Sequence, residues 1–86
     1  MESAQELFQK GVDLQQRGLF DHAIEEYEKA LKLDPDNSDI LVNLGAACLQ
    51  KGLSERAVKL LTAALAKNPG NSLVLYNLGK AYLYRE

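Results

Sequence analysis

Residues 18–37, GLFDHAIEEYEKALKLDPDN, return in weaker form at residues 52–71, GLSERAVKLLTAALAKNPGN, at a constant offset of 34 residues. Gly18 matches Gly52, Leu19 matches Leu53 and Ala23 matches Ala57; Ala30-Leu31 matches Ala64-Leu65, Pro35 matches Pro69 and Asn37 matches Asn71. Self-similarity at a fixed period of a few tens of residues belongs to stacked supersecondary units. One such unit cannot bury its apolar face alone, so its neighbour must cover it. The period therefore predicts stacked helical hairpins.

The hydrophobic spacing fills in the helices. Ala4, Leu7, Phe8, Gly11, Val12 and Leu14 recur three and four apart, which predicts a first helix over residues 3–17. Ser3 with Glu6 fits a capping box, and Gly18 ends the helix because glycine turns left-handed without a Cβ clash. A second helix is expected from Asp21, as N-cap, to about Leu33. Ala23, Ile24, Tyr27, Ala30, Leu31 and Leu33 form its apolar side, with Glu25–Lys29 and Glu28–Lys32 as i,i+4 pairs on the other. Pro35 blocks continuation. Asn37 or Ser38 is expected to cap a third helix over 38–51, Ser54 a fourth over 55–67, and Ser72 a fifth that runs to the end of the chain. Only Leu73-Val74-Leu75-Tyr76 reads as a short strand, and its repeat mate, Asp39-Ile40-Leu41-Val42, argues for helix there too.

Gly11, Gly45 and Gly79 recur 34 residues apart inside the first helix of each unit. A glycine inside a helix costs about 1 kcal/mol relative to alanine. Its repetition is expected where a second helix crosses at close range, and Ala23, Ala30, Ala57 and Ala64 supply small residues for that helix.

Leucine-glycine, glycine, alanine, alanine-leucine and proline at these spacings resemble the tetratricopeptide repeat family. The resemblance implies an all-α, right-handed stack of antiparallel helical hairpins with five helices, in a single domain over residues 1–86. Unit one is 4–37, unit two 38–71, and 72–86 the first helix of a third. The first unit departs from the pattern at Lys10, where the others have Leu44 and Leu78, and at Leu7, where the family favours a large aromatic.

Composition narrows the function class. Eighty-six residues make one small domain, and a net charge of −2 offers no general attraction to phosphates or anionic lipid. The charge is unevenly spread: residues 1–43 hold 4 Lys/Arg against 10 Asp/Glu, residues 44–86 hold 6 against 2. One cysteine permits no internal disulfide. No apolar run is long enough to span a membrane, and the N-terminal residues lack a signal-peptide pattern. Together these suggest a cytoplasmic protein without a membrane partner. Basic residues interleave with acidic ones, which argues against a nucleic-acid stripe.

No constellation for chemistry emerges. His22, the only histidine, reads as a solvated helix residue, since a metal site needs three or four convergent ligands. Cys48 falls on the packed side of its helix and reads as an inert core thiol. Asp34-Pro35-Asp36-Asn37-Ser38-Asp39 lacks the glycine and the bidentate glutamate of a calcium loop and reads as an inter-repeat turn. No enzyme, cofactor or metal is expected.

In the resembled family the first helix of each unit lines a concave side. Carried over, that side holds Gln5, Phe8, Gln9, Val12 and Gln16, then Asp39, Val42, Asn43, Ala46, Leu49 and Gln50, then Leu73, Tyr76, Asn77, Lys80, Leu83 and Tyr84. Gln9, Asn43 and Asn77 lie 34 apart and form a ladder of amides suited to the backbone of an extended peptide. The peptide-binding set is Gln5, Phe8, Gln9, Val12, Asn43, Ala46, Gln50, Tyr76, Asn77 and Lys80. Some family members clamp chaperone C-terminal carboxylates. The matching positions here are Phe8, Val12, Asn43, Leu73 and Asn77, of which only Asn43 agrees. The resemblance thus implies a non-catalytic scaffold that docks a peptide or protein segment, and the absent cations argue against the clamping of chaperone carboxylates. The alternative is an assembly unit that associates with a second copy of itself. The fifth helix has no following partner, and with Leu75, Leu78 and Tyr82 expected in the core, Val74, Tyr76, Ala81, Leu83 and Tyr84 are its candidate self-association residues.

Overall fold

The computed structural model describes residues 2–84. Within them the chain forms five α-helices and no strand: α1 (Ala4–Gln16), α2 (Phe20–Leu33), α3 (Ser38–Gln50), α4 (Ser54–Lys67) and α5 (Ser72–Tyr84). The expected extension of the last helix to the chain end lies outside the described residues. Helices α1 and α2 pair as one hairpin and α3 and α4 as a second; α5 packs on α4 and touches α3.

The turns explain where each helix starts. Gly18 (φ +78°) and Gly52 (φ +87°) are the left-handed positions. At the end of α1 the Gly18 N–H donates to the Gln15 carbonyl and the Leu19 N–H to that of Leu14, at 3.0 and 2.9 Å; Gly52 and Leu53 repeat the pair onto Leu49 and Cys48. This is the Schellman arrangement, which satisfies the last carbonyls of a helix. The following helices begin at once: the Ala23 N–H already donates to Leu19, and the Ala57 N–H to Leu53. One leucine thus closes one helix and opens the next. Asp21 and Ser54, expected as N-caps, are instead first-turn residues, and Leu19 and Leu53 hold the N-cap positions without a side-chain hydrogen bond. At the longer inter-hairpin turns, Asn37 accepts from the Ile40 N–H, and Asn71 from those of Leu73 and Val74, so Asn71 rather than Ser72 caps α5. Ser3 and Glu6 form the expected capping box, and the Ser3 backbone N–H holds the Glu6 carboxyl below its usual range.

The core is centred on α3, whose Ile40, Leu41, Val42, Leu44, Ala47, Cys48 and Leu49 are all buried. Tyr27 and Leu61, the bulky residues of α2 and α4, are fully buried over Gly11 and Gly45. Burial pushes the Cys48 thiol pKa up, against the pull of Arg56. That keeps the thiol protonated and less nucleophilic at neutral pH.

On α5 the burial pattern corrects the sequence expectation. Val74 and Ala81, expected to be exposed, are 0% exposed, whereas Leu75 and Tyr82, assigned to the core, are 50% and 56% exposed. Leu75 and Tyr82 flank Gly79 at helical spacing, on the side that a second helix of the same hairpin would cover. Val74 and Ala81 lie on the side facing the preceding hairpin, and that side is occupied.

The uneven charge also finds a structural use. Lys51 pairs with Asp21 at 3.2 Å, Lys67 with Asp36 at 3.1 Å, and Arg56 with Glu28. Each bridge takes its acid from residues 4–37 and its base from residues 38–71. Exposed pairs of this kind are individually worth little, but all three favour the same stacking order. Glu28 is thereby drawn to Arg56 and Lys29 to Glu26, in place of the expected Glu28–Lys32 and Glu25–Lys29 pairs.

Candidate peptide-binding groove

The odd-numbered helices form one row and the even-numbered helices the other. α3 approaches both α1 and α5, whereas α2 and α4 do not approach each other at backbone level. The stack is therefore narrower on the odd side and curves toward it, which makes the α1–α3–α5 row the concave one. The helical period then decides which side chains lie on it.

At the α1 end, Gln5 and Gln9 are exposed while Phe8 and Val12 are half-buried. The Phe8 ring lies 5.8 Å from that of Tyr27, tilted by 45°, so it is anchored from below with one edge to solvent. In α3, Asn43 and Ala46 are half-buried and Gln50 is exposed, but Val42 and Leu49 are buried and present little surface. In α5, Tyr76 is exposed, and Lys80 sits with its ammonium 5.3 Å from the centre of the Tyr76 ring, a cation–π contact.

The three amides expected to form a ladder have different surroundings. Gln9 is exposed. Asn43 donates from Nδ2 to the Tyr27 hydroxyl at 3.5 Å. Asn77 is only 7% exposed and donates from Nδ2 to the Leu73 carbonyl one turn back in its own helix, at 3.0 Å. The difference follows from the even helices: Tyr27 carries a hydroxyl, and Leu61 at the matching position does not.

One participant escaped the sequence reading. Gln15 accepts from the Tyr27 hydroxyl at 2.6 Å and donates to Gln50 Oε1 at 2.7 Å, joining α1 to α3. Burial raises the Tyr27 phenol pKa, with the Asn43 hydrogen bond opposing it, so the hydroxyl keeps its proton at neutral pH. The signal of Gln15 in the sequence is faint: a half-exposed glutamine has no signature, and only its place one turn above Gly11, over Tyr27, gives it a role.

Two hollows also open among the described residues. A depression of about 640 Å³ is lined by Glu25, Glu28, Lys29, Leu31, Lys32, Pro35 and Arg56, where α2 and α4 splay apart. A second, of about 380 Å³, is lined by Glu6, Gln9, Lys10 and Asp13. An extended peptide needs a continuous face rather than a cavity, and the first hollow is crossed by the Arg56–Glu28 bridge.

A family model of the tetratricopeptide repeat matches residues 8–72 and again 50–85. No curated protein matches the sequence. Among solved structures, the first TPR of Spaghetti (RPAP3) bound to the HSP90 peptide SRMEEVD is similar, with a TM-score of 0.88 and 26% sequence identity. The match covers 95% of this chain and 67% of that one. No helix among the described residues is long and apolar enough to cross a membrane. The five-helix stack, the two family matches and the structural similarity agree, and the chain belongs to the tetratricopeptide repeat family.

Proposed function

We propose that this chain is a non-catalytic scaffold that docks an extended peptide or protein segment along the α1–α3–α5 face. The observation that carries the reading is the composition of that face. Amides (Gln5, Gln9, Asn43, Gln50) alternate with anchored apolar and aromatic surface (Phe8, Val12, Ala46, Tyr76). Amides serve any peptide backbone because they donate and accept, and aromatic anchors supply contact area with few rotamers to freeze. The similarity to a structure bound to an HSP90 peptide supports the class of ligand. It does not support the same peptide: Phe8, Val12 and Leu73 stand where carboxylate-binding side chains would be needed, and among the described residues assigned to the groove only Lys80 is a cation. The preferred segment is uncharged or weakly charged.

Peptides selected from a random displayed library against the chain test this. Bound peptides are expected to shift the NMR signals of Phe8, Val12, Asn43 and Tyr76. Asn43→Ala is expected to weaken binding by about 1–2 kcal/mol, the scale for hydrogen bonds lost at a desolvated site. SRMEEVD is expected to bind more weakly than the selected peptides. Shifts confined to the outer faces of α2 and α4, or unchanged affinity in the variant, would count against the groove.

One observation favours a second reading, self-association. A Cβ added at Gly11 or Gly45 meets a neighbouring side chain, but at Gly79 it meets nothing within 4 Å, and Leu75 beside it is half exposed. The occupant proposed for this face is the same face of a second copy. α2 and α4 are already used in their own hairpins, so α5 is what a copy has free, and Gly79 opposite Gly79 lets two helices approach closely about a two-fold axis. Of the residues first considered, Val74 and Ala81 are buried and drop out; Leu75 takes their place. Light scattering at near-millimolar protein should show a dimer that Leu75→Lys dissociates. A monomer at that concentration removes this reading and leaves the first intact.

A further inference from the structure

Asn43 and Gln50 lie seven residues apart on the exposed side of α3, two helical turns or roughly 10 Å at about 1.5 Å per residue. They do not touch, yet a continuous path of hydrogen bonds joins them, part-buried at Tyr27 and exposed at Gln50: Asn43 to Tyr27, Tyr27 to Gln15, Gln15 to Gln50. Resting on the groove reading, we infer that Tyr27 and Gln15 are positioning residues that make Asn43 and Gln50 act on a bound chain as one coupled pair, one end accepting and the other donating.

A phenol has one proton to donate and lone pairs to accept. Tyr27 cannot relocate its hydroxyl, because its ring is fully buried between Gly11 and Phe8. It donates to Gln15 Oε1, so toward Asn43 it can only accept, and Asn43 must turn its Nδ2 inward. That leaves Asn43 Oδ1 as the end offered to a ligand. Gln15, with its oxygen turned to the phenol, presents its Nε2 to Gln50 Oε1, which leaves the Gln50 N–H₂ group as the other free end. Reversing the path requires all three amides to flip together: Gln15 would donate to Tyr27, Tyr27 to Asn43 Oδ1, and Gln50 to Gln15. The free ends would then be a donor at Asn43 and an acceptor at Gln50. In either state the two ends are opposite in kind. A chain that engages one end selects the state of the other.

The second junction is an internal control. Leu61 replaces Tyr27 there, and the Asn77 amide folds back on its own helix. The coupled pair is therefore confined to the first junction, which gives the groove one place where an N–H and a C=O of the ligand are read together.

The first test needs no ligand. The side-chain amide signals of Asn43 and Gln50 are followed by ¹⁵N NMR in the full chain, in Tyr27→Phe, and in Gln15→Met, which removes the amide from a half-exposed position. Tyr27→Phe keeps the ring and its packing and removes only the hydroxyl. It is expected to move the Gln50 signal, although the hydrogen bonds of Tyr27 go to Gln15 and Asn43 and not to Gln50. Asn43→Ala is expected to move the Gln50 signal in the parent and not in the Tyr27→Phe background. A Gln50 signal indifferent to Tyr27→Phe and to Gln15→Met overturns the inference.

The second test is a double-mutant cycle on a fluorescent peptide from the displayed library. In the parent, Asn43→Ala and Gln50→Ala are each expected to weaken binding several-fold. The double variant should lose less than the product of the two, because the second change removes a partner already released. In Tyr27→Phe the losses should multiply. Multiplying losses in both backgrounds overturn the coupling and leave the groove standing. No loss in Asn43→Ala overturns the groove reading itself, while the NMR result still decides whether the path is real.

Discussion

Gly11→Ala is expected to lower the melting temperature by about 10 °C, and Gly79→Ala to raise it by about 4–8 °C, although the two positions are repeat equivalents. In each helix an alanine gains about 1 kcal/mol of propensity over glycine. What differs is the space. A Cβ at Gly11 would lie 2.5 Å from Cδ1 and 2.9 Å from Cζ of Tyr27, whose buried ring has no rotamer to escape into. At Gly45 it would meet Leu61 Cγ at 2.8 Å and Cδ2 at 2.9 Å, where an aliphatic side chain yields more easily. At Gly79 nothing stands within 4 Å. Overpacking a core costs roughly 1–3 kcal/mol, and each kcal/mol moves the midpoint of a domain this small by about 4–8 °C. The order of stability should be Gly79→Ala above the parent, the parent above Gly45→Ala, and Gly11→Ala lowest. Gly45→Val, which adds a branch and lowers helix propensity, should cost more than about 3 kcal/mol. Thermal melts of the four variants decide the matter. An equal response at all three glycines would mean that the crossing geometry seen at Gly11 and Gly45 is not what selects glycine.

That contrast also shows what could be read in the sequence and what could not. The 34-residue offset revealed the five helices, the hairpin pairing and the close crossing at Gly45, because all of these repeat. The misreadings occur where identical sequence signals meet different neighbours. Asp21 and Ser54 have the chemistry of N-caps, but the leucine that closes the preceding Schellman turn already occupies the cap position. Asn43 and Asn77 are the same residue at the same register, but a hydroxyl beneath one and an isobutyl group beneath the other send their amides to different acceptors. Gln15 has no pattern of its own and gains its role only from Tyr27, a packing fact rather than a periodic one. The proposed groove was legible as a list of positions. Its hydrogen-bond directions were not, since they depend on which helix stands behind each amide.

The last helix provides the sharpest test of that distinction, because its neighbours Val74 and Leu75 exchange roles between sequence and structure. Val74→Asp is expected to cost about 3 kcal/mol or more, and Leu75→Asp to stay within about 0.5 kcal/mol of the parent. Both residues have buried equivalents 34 positions earlier, Ile40 and Leu41. In α3 one side is covered by the preceding hairpin and the other by α4, so both residues are enclosed. α5 has only the first of these covers. Val74, fully buried against it, would have to place a carboxylate out of water; Leu75, half exposed beside Gly79, would place one in water. Because α5 packs chiefly on α4 and only touches α3, the damage from Val74→Asp should be local. Hydrogen exchange in residues 72–84 should accelerate first, and helicity should fall by roughly one helix before the hairpins unfold. In Leu75→Asp exchange in the same residues should match that of the parent. The reverse pattern, with Leu75→Asp releasing the helix and Val74→Asp tolerated, would mean that α5 is rotated about its axis and that the open face is the one carrying Val74 and Ala81.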